Sequence, residues 1–293
     1  MREREREIPL PPHVKKYKKN QITSYDKGGY FPSKKLAEEY SKRVRFSNYH
    51  KNRLIALKIL LKKLKKKLSI LDFGCGDGLQ FKKLNLLTKS YVGIDQSNHM
   101  INLAEKNLIK IKKKLIVGSV KKLKNIKSKS IDLFIALNVL GYLSNQEIIL
   151  FFREIKRIIK KNSYFLTMNG NSLFNFFALN FGTKKFLKEN FNQKDKHINL
   201  LLKKNKNLAH YSAKTFNPLE FNDLLKKYDF TQEKISFASL HKFSPEIGRL
   251  IYGNKLSRLK SRNLLKDPNK LKDTEMWKNY FQCSIFAVLF KKN

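Results

Sequence analysis

Eleven consecutive residues, Leu68-Ser69-Ile70-Leu71-Asp72-Phe73-Gly74-Cys75-Gly76-Asp77-Gly78, constrain this chain more than any other stretch. A short apolar run bounded by glycines reads as a strand buried on both faces of a parallel sheet. Glycines at alternate positions let the backbone take positive φ and approach a ligand closely. An amphipathic stretch follows, so the turn opens a helix whose first N–H groups lack intrahelical partners. A nucleotide-type ligand is therefore expected at the turn. The spacing is Gly-x-Gly-x-Gly; the dinucleotide fingerprint Gly-x-Gly-x-x-Gly would need a third glycine at 79, where Leu79 stands. NAD is the second choice.

Short apolar runs then alternate with amphipathic stretches, the pattern of βαβ units. Strands are predicted at 68–73, 90–95, 114–118, 130–137 and 162–168, with helices at 78–86, 97–110 and 144–160. A helix at 218–227, a strand at 230–239 and a last strand at 283–290 follow. Residues 1–33 read as a flexible leader and 34–67 as an N-terminal helical cap. In that cap Ser33 is placed to cap a helix starting at Lys34, and Leu54, Ile55, Leu57, Leu61 and Leu64 share helical spacing in a second helix over 49–67. Residues 68–293 form the main domain, with inserts at 169–215 and 245–275.

Three further strand ends converge with the glycine turn on one crevice, as the switch-point rule for open α/β sheets requires. Tyr91-Val92-Gly93-Ile94 ends in Asp95, whose carboxylate can accept hydrogen bonds from both hydroxyls of a ribose. Gly118-Ser119-Val120 closes the third strand where an adenine edge would reach. Asn138 ends the fourth, next to the presumed reactive centre.

Leu-Asp-Phe-Gly-Cys-Gly-Asp-Gly, Gly-Ile-Asp-Gln-Ser-Asn-His-Met-Ile-Asn-Leu-Ala-Glu and Asp-Leu-Phe-Ile-Ala-Leu-Asn-Val-Leu-Gly-Tyr-Leu resemble, in order and spacing, the first, second and fourth strand motifs of class I S-adenosylmethionine-dependent methyltransferases. The resemblance covers roughly residues 35–170. It implies an α/β, doubly wound, Rossmann-like sheet of seven mostly parallel strands with a reversed last strand, an N-terminal helical cap and an inserted lid. It also implies S-adenosyl-L-methionine as cofactor. Asp72 and the backbone of Gly74, Gly76 and Gly78 would hold the methionine end and Asp95 the ribose. Gln96, Ser119 and Val120 would flank adenine, and Asn138 would face the sulfonium. The third-strand position often carries Asp in the family, and Ser119 stands here.

Methyl transfer from a sulfonium is an in-line displacement, so placement supplies much of the catalysis. An alcohol or protonated amine acceptor would need a base, for which His210 and His241 are the candidates. His99 reads as structural, Cys75 and Cys283 as buried and inert. The insert at 169–215, with Phe174, Phe176, Phe177, Phe181, Phe186 and Phe191, is expected to form a lid over the acceptor pocket or to pack on the core as an amphipathic insert.

Composition then narrows the acceptor. The net charge of +40 comes from 63 Lys and Arg against 23 Asp and Glu, and it invites a nucleic-acid reading. The excess is mostly Lys spread along the chain with Asn, Ile and Phe, a mix that AT-rich coding produces, whereas base readout favours clustered Arg. Asn138-Val139-Leu140-Gly141 lacks the Pro-Pro-aromatic pattern of exocyclic base methylation, and the chain lacks a Pro-Cys nucleophile. The expected acceptor is a small molecule, a sugar or a lipid-linked precursor, and the lysines would steer an anionic one. An RNA methyltransferase and a non-catalytic cofactor-binding scaffold are the alternatives. Two cysteines without metal-ligand spacing argue against zinc and a disulfide framework. The charged start Met-Arg-Glu-Arg-Glu-Arg-Glu and the absence of roughly 20 consecutive apolar residues lead to the expectation of a cytoplasmic protein with no transmembrane segment.

Overall fold

The computed structural model describes residues 33–46, 48–178, 214–241 and 277–293. Seven strands, β1 (Leu68–Phe73), β2 (Thr88–Asp95), β3 (Lys113–Val117), β4 (Ile131–Leu137), β5 (Ile159–Gly170), β6 (Phe230–Leu240) and β7 (Cys283–Lys292), form one sheet in the order β3-β2-β1-β4-β5-β7-β6. β1 pairs in parallel with both β2 and β4, so Asp72 lies between Gly93 and Ile135. The strand order reverses there, which opens a crevice at the carboxyl ends of β1 and β4. β7 runs antiparallel to both β5 and β6. The reversed last strand is thus inserted between its neighbours, and β6 ends on the same edge of the sheet as β1 to β5.

The helices are α1 (Lys34–Phe46), α2 (Asn48–Leu61), α3 (Leu79–Leu84), α4 (Asn98–Asn107), α5 (Asn145–Ile158), α6 (Phe174–Ala178), α7 (Pro218–Lys226) and α8 (Trp277–Gln282). Alternation along the strands divides the apolar side chains between two layers. Leu71, Phe73, Phe134, Phe165, Phe286 and Phe290 pack with Phe151 and Phe152 of α5 and Phe221 of α7. Ile70, Tyr91, Leu133, Leu166 and Ala287 pack with Leu57 and Leu60 of α2 and Phe81 of α3.

Local chemistry sets the element ends. Ser144 and Glu147 close a full capping box at the start of α5. The Ser33 hydroxyl accepts from Leu36 N at 3.3 Å, as the sequence predicts for α1. α2 stops at Leu61 although the apolar spacing continues to Leu64. The run from Lys62 to Lys67 carries five lysines, with like charges four residues apart at Lys62/Lys66 and Lys63/Lys67, which disfavours another turn. Its inner face is Ala56, Leu57, Leu60 and Leu61, so Ile55, expected inside, is 41% exposed. The segment after Ser119 is a 3-10 helix, Val120–Asn125. β5 begins three residues before the predicted start because a bulge, with Asn162 at φ 59°, carries the chain from Ile159 into register with β4.

The insert expected over 169–215 starts later than the sequence indicates: Asn169 and Gly170 are still in β5. Its two ends are pinned together. Phe216 N donates to Gly170 O at 2.9 Å, Ser172 N donates to Phe216 O at 2.9 Å, and Lys214 N donates to Gly141 O at 2.8 Å. The leader, most of the lid with Phe181, Phe186, Phe191 and His210, and the 245–275 insert lie outside the described residues. Among the described residues no helix is long and apolar enough to cross a membrane.

Candidate functional site at the sheet switch point

The glycine turn leaves β1 with Gly74, Gly76 and Gly78 all at positive φ, but the three have different surroundings. A Cβ on Gly74 would meet the Val139 side chain at 2.8 Å, and one on Gly78 would meet Leu108 at 2.8 Å. Around Gly76 nothing stands within 4 Å of the position a Cβ would take. The outer two glycines therefore serve packing, while Gly76 leaves open space at the crevice.

Three acids surround that turn. Asp95 Oδ2 accepts from Gly76 N at 2.9 Å and its Oδ1 accepts from Ser97 N at 2.9 Å, so the end of β2 is tied to the turn after β1. Each oxygen retains a further lone pair for an outside donor. Asp77 Oδ1 accepts from Leu79 N at 3.1 Å where α3 begins, while its Oδ2 is buried with no partner. Asp72 Oδ2 accepts from the Tyr91 hydroxyl at 3.0 Å. Burial pushes the Asp72 carboxyl up to about 7; the Tyr91 hydrogen bond pulls it down and the charge of Asp95 pushes it up. Burial likewise raises Asp95, against the pull of its two backbone donors. Among the described residues no ion pair reaches Asp72, Asp77 or Asp95, in a chain with 63 Lys and Arg. Desolvated carboxylates without a cation at hand make the pocket attractive to a positively charged ligand group.

The remaining predicted residues sit on the same edge. Gln96 and Ser119 are half-buried beyond β2 and β3. Ser119 Oγ accepts from Lys121 N and so caps the 3-10 helix. The Val120 side chain is fully buried against the core, which leaves only its backbone for a ligand. Asn138, half-buried, takes a left-handed φ of 57° and its N–H donates to Met168 O at 2.7 Å, so the chain turns sharply off β4 at the switch point.

His241 follows β6, three strands from β4, or about 14 Å across the sheet. Its ring lies 4.8 Å from the Phe174 ring, and burial lowers its pKa to about 4. The sequence offers His241 as a general base; the structure packs it as a neutral imidazole on Phe174, with its Nδ1 buried and without a partner among the described residues. Cys75 and Cys283 are both buried and free, with burial raising each thiol. Among the described residues no group of three or more His, Cys, Asp and Glu is arranged to hold a metal ion.

Sequence reasoning missed Tyr91, which reads as one more apolar strand residue, and Asp77, which the glycine spacing overshadows. It also missed Asn171. The Asn171 amide donates to Tyr280 O at 2.6 Å and Cys283 O at 2.8 Å and accepts from Leu173 N at 3.0 Å, clamping the end of β5 to the start of β7. No local signal marks the two carbonyl partners, which lie 109 and 112 residues away.

Comparison with known proteins follows this geometry. The family model of a methyltransferase domain matches residues 71–167, from within β1 to within β5. An uncharacterized protein of Methanocaldococcus jannaschii is 31% identical over 160 residues, 54% of this chain and 56% of its own length, so the match spans little more than half of that relative. Among solved structures, a chain from the Haloferax volcanii complex containing the Trm112 methyltransferase activator superposes with a TM-score of 0.57 at 11% identity, covering 88% of this chain and 96% of its own. An S-adenosylmethionine-dependent methyltransferase of Archaeoglobus fulgidus gives 0.51 at 18%, covering 87% and 99%. The plantazolicin methyltransferase BamL, solved with S-adenosylhomocysteine, also gives 0.51 at 18%, covering 94% and 96%. At these identities the structures speak to the fold, and the fold is theirs.

Proposed function

We propose, from the premise that residues 71–167 belong to the class I S-adenosylmethionine-dependent methyltransferase family, that this chain transfers the methyl group of S-adenosyl-L-methionine to a small-molecule, sugar or lipid-linked acceptor. The observation that carries the reading is the set of three acids, none with a cation partner among the described residues, around the open space at Gly76. The cofactor brings an ammonium group, a sulfonium and a ribose diol, and those are the groups such a pocket suits.

When bound, S-adenosylmethionine supplies an electrophilic methyl carbon on a positively charged sulfur. The chain supplies placement. Asp72 and the turn Gly74–Gly78 hold the methionine end, and Asp95 receives the ribose hydroxyls on the lone pairs that Gly76 N and Ser97 N leave free. Gln96, Ser119 and the backbone of Val120 border the adenine, and Asn138 turns the chain toward the reacting centre. Holding nucleophile and methyl carbon in line is worth effective molarities of order 10⁵ M or more, so no dedicated base is required for an acceptor that reaches the site deprotonated.

The scattered lysines support acceptance of an anionic small substrate by long-range steering. Calorimetry with S-adenosylhomocysteine, followed by transfer of labelled methyl from the cofactor into fractionated small-molecule, glycolipid and RNA pools, tests the reading in order. Failure of the intact protein to bind S-adenosylhomocysteine overturns it. Label entering RNA alone, with binding that falls steeply with salt, replaces the small acceptor by a nucleic acid.

A further inference from the structure

Tyr91 is a large polar residue in a fully buried layer. Its ring lies 4.2 Å from that of Phe81, between β2 and α3, and its hydroxyl reaches Asp72 Oδ2 at 3.0 Å on the adjacent strand. β1 and β2 are in register there, with Ile70 opposite Tyr91 and Asp72 opposite Gly93. Gly93 leaves room beside the contact: a Cβ on it would stand 2.7 Å from Leu115 Cδ2 and 3.0 Å from both Tyr91 Cε1 and Cys75 Sγ. The same side of the sheet therefore holds a compact group of Tyr91, Asp72 and Cys75 beneath the glycine turn, and Tyr91 belongs to the apolar cluster that includes Leu57, Leu60 and Phe81.

We infer that Tyr91 is a positioning residue for the cofactor's methionine end, its hydroxyl fixing Asp72 as the acceptor for the ammonium group. The inference rests on the cofactor reading above and deepens it. Asp72 is embedded in apolar surroundings, where an isolated carboxyl would be protonated and a poor partner for an ammonium. A phenol O–H held in place by its own ring packing stabilises the charged form and aims the second oxygen away from itself. The titratable groups facing Asp72 are Tyr91 and Asp95 from β2 and Cys75 from the turn; Tyr91 lowers its pKa, Asp95 raises it, and burial keeps the Cys75 thiol protonated. α2 and α3 present apolar side chains to this layer. With Asp72 near 7, the capture of an ammonium group strengthens as pH rises through that value, and removal of the Tyr91 hydroxyl moves the rise to higher pH.

The test is calorimetric binding of S-adenosylhomocysteine, which carries the same ammonium group without a transferable methyl, between about pH 6 and pH 8.5. Tyr91→Phe keeps the ring and its packing. Its affinity is expected to be about tenfold weaker than wild type near pH 7 and to recover most of that loss at the alkaline end, as expected for a lost hydrogen bond to a charged group. In an Asp72→Asn background the pH dependence flattens and Tyr91→Phe adds little, since the group it served is gone. A constant loss at every pH, or an equal loss in the Asp72→Asn background, assigns Tyr91 a packing role and overturns the inference. If Asp72→Asn does not fold, the ratio of wild-type to Tyr91→Phe affinity across this range decides alone: a ratio that shrinks toward the alkaline end supports the role and a constant ratio overturns it. A constant ratio sinks only the role of Tyr91, whereas no binding by the wild type sinks the cofactor reading.

Discussion

Gly76 N–H donates to Asp95 Oδ2 across 2.9 Å, joining the turn after β1 to the residue that ends β2, nineteen positions along the chain. The bond holds the carboxylate at the rim of the crevice with one oxygen on the turn and the other on Ser97 N. Asp95→Ala is expected to weaken S-adenosylhomocysteine binding about 100-fold or more, because it removes charge-assisted bonds to the ligand and frees the turn. Asp95→Asn falls between, since its NH₂ must face one of the two N–H donors. Calorimetry on the three proteins gives the order.

The three glycines should separate stability from binding. Gly74→Ala and Gly78→Ala combine a positive φ with a clash against Val139 or Leu108, and are expected to lower unfolding free energy by about 2–5 kcal/mol. Gly76→Ala, at φ 55° with no neighbour within 4 Å, is expected to cost only about 1–2 kcal/mol. On the proposed cofactor reading its methyl group would enter the ligand's space, so its cofactor affinity is expected to fall furthest relative to its loss of stability. Urea unfolding beside calorimetry reads both.

Burial of Asp72 is expected to destabilise the folded protein wherever the group is ionised. Its folded pKa of about 7 lies above the ordinary 3.8, so the protonated group is neutral to stability below 3.8 and ionisation penalises the folded state progressively up to about pH 7. Asp72→Asn is expected to be more stable than wild type at pH 8 without cofactor, by at most about 4 kcal/mol, with the gain disappearing near pH 4. Chemical denaturation across that range measures it. On the proposed function the same variant is expected to bind cofactor less well.

His241 carries the opposite sign. Its pKa is lowered from 6.5 to about 4, so wild type is stabilised above pH 6.5 and loses up to about 3 kcal/mol as pH falls toward 4, where the unfolded chain takes up a proton that the buried ring refuses. His241→Phe is expected to remove that slope and to retain methyl transfer, given the three-strand separation from Asn138. Loss of turnover with unchanged cofactor affinity would restore it as a base.

Asn171 fastens the chain where it leaves the sheet. Asn171→Ala strands two carbonyls and an N–H, and an expected loss of about 2–4 kcal/mol should appear as a lowered urea midpoint with S-adenosylhomocysteine affinity little changed, since the clamp lies at β5 and β7 and not at β1.

Much of the crevice was legible because it is built from local sequence. Strand ends, alternate glycines and a terminal acid fall within a few residues of one another, and the switch-point rule says where they meet. The seven strands follow from apolar runs whose length and flanks exclude helices. The placement of His241 was not legible, because β7 inserts between β5 and β6 and moves β6 one strand further from the reacting edge. Nor was Tyr91, whose role depends on β1/β2 register and on the missing Cβ of Gly93.

The sequence by itself determined the order of strands and helices, the glycine turn and the acid that answers it at Asp95, since hydrophobic period and backbone freedom are properties of neighbouring residues. The tertiary structure decided which acids are stripped of water, which glycine leaves room and which histidine is too far away. Desolvation and distance arise only when segments far apart in the chain are packed together, and the proposed cofactor site rests on those two quantities.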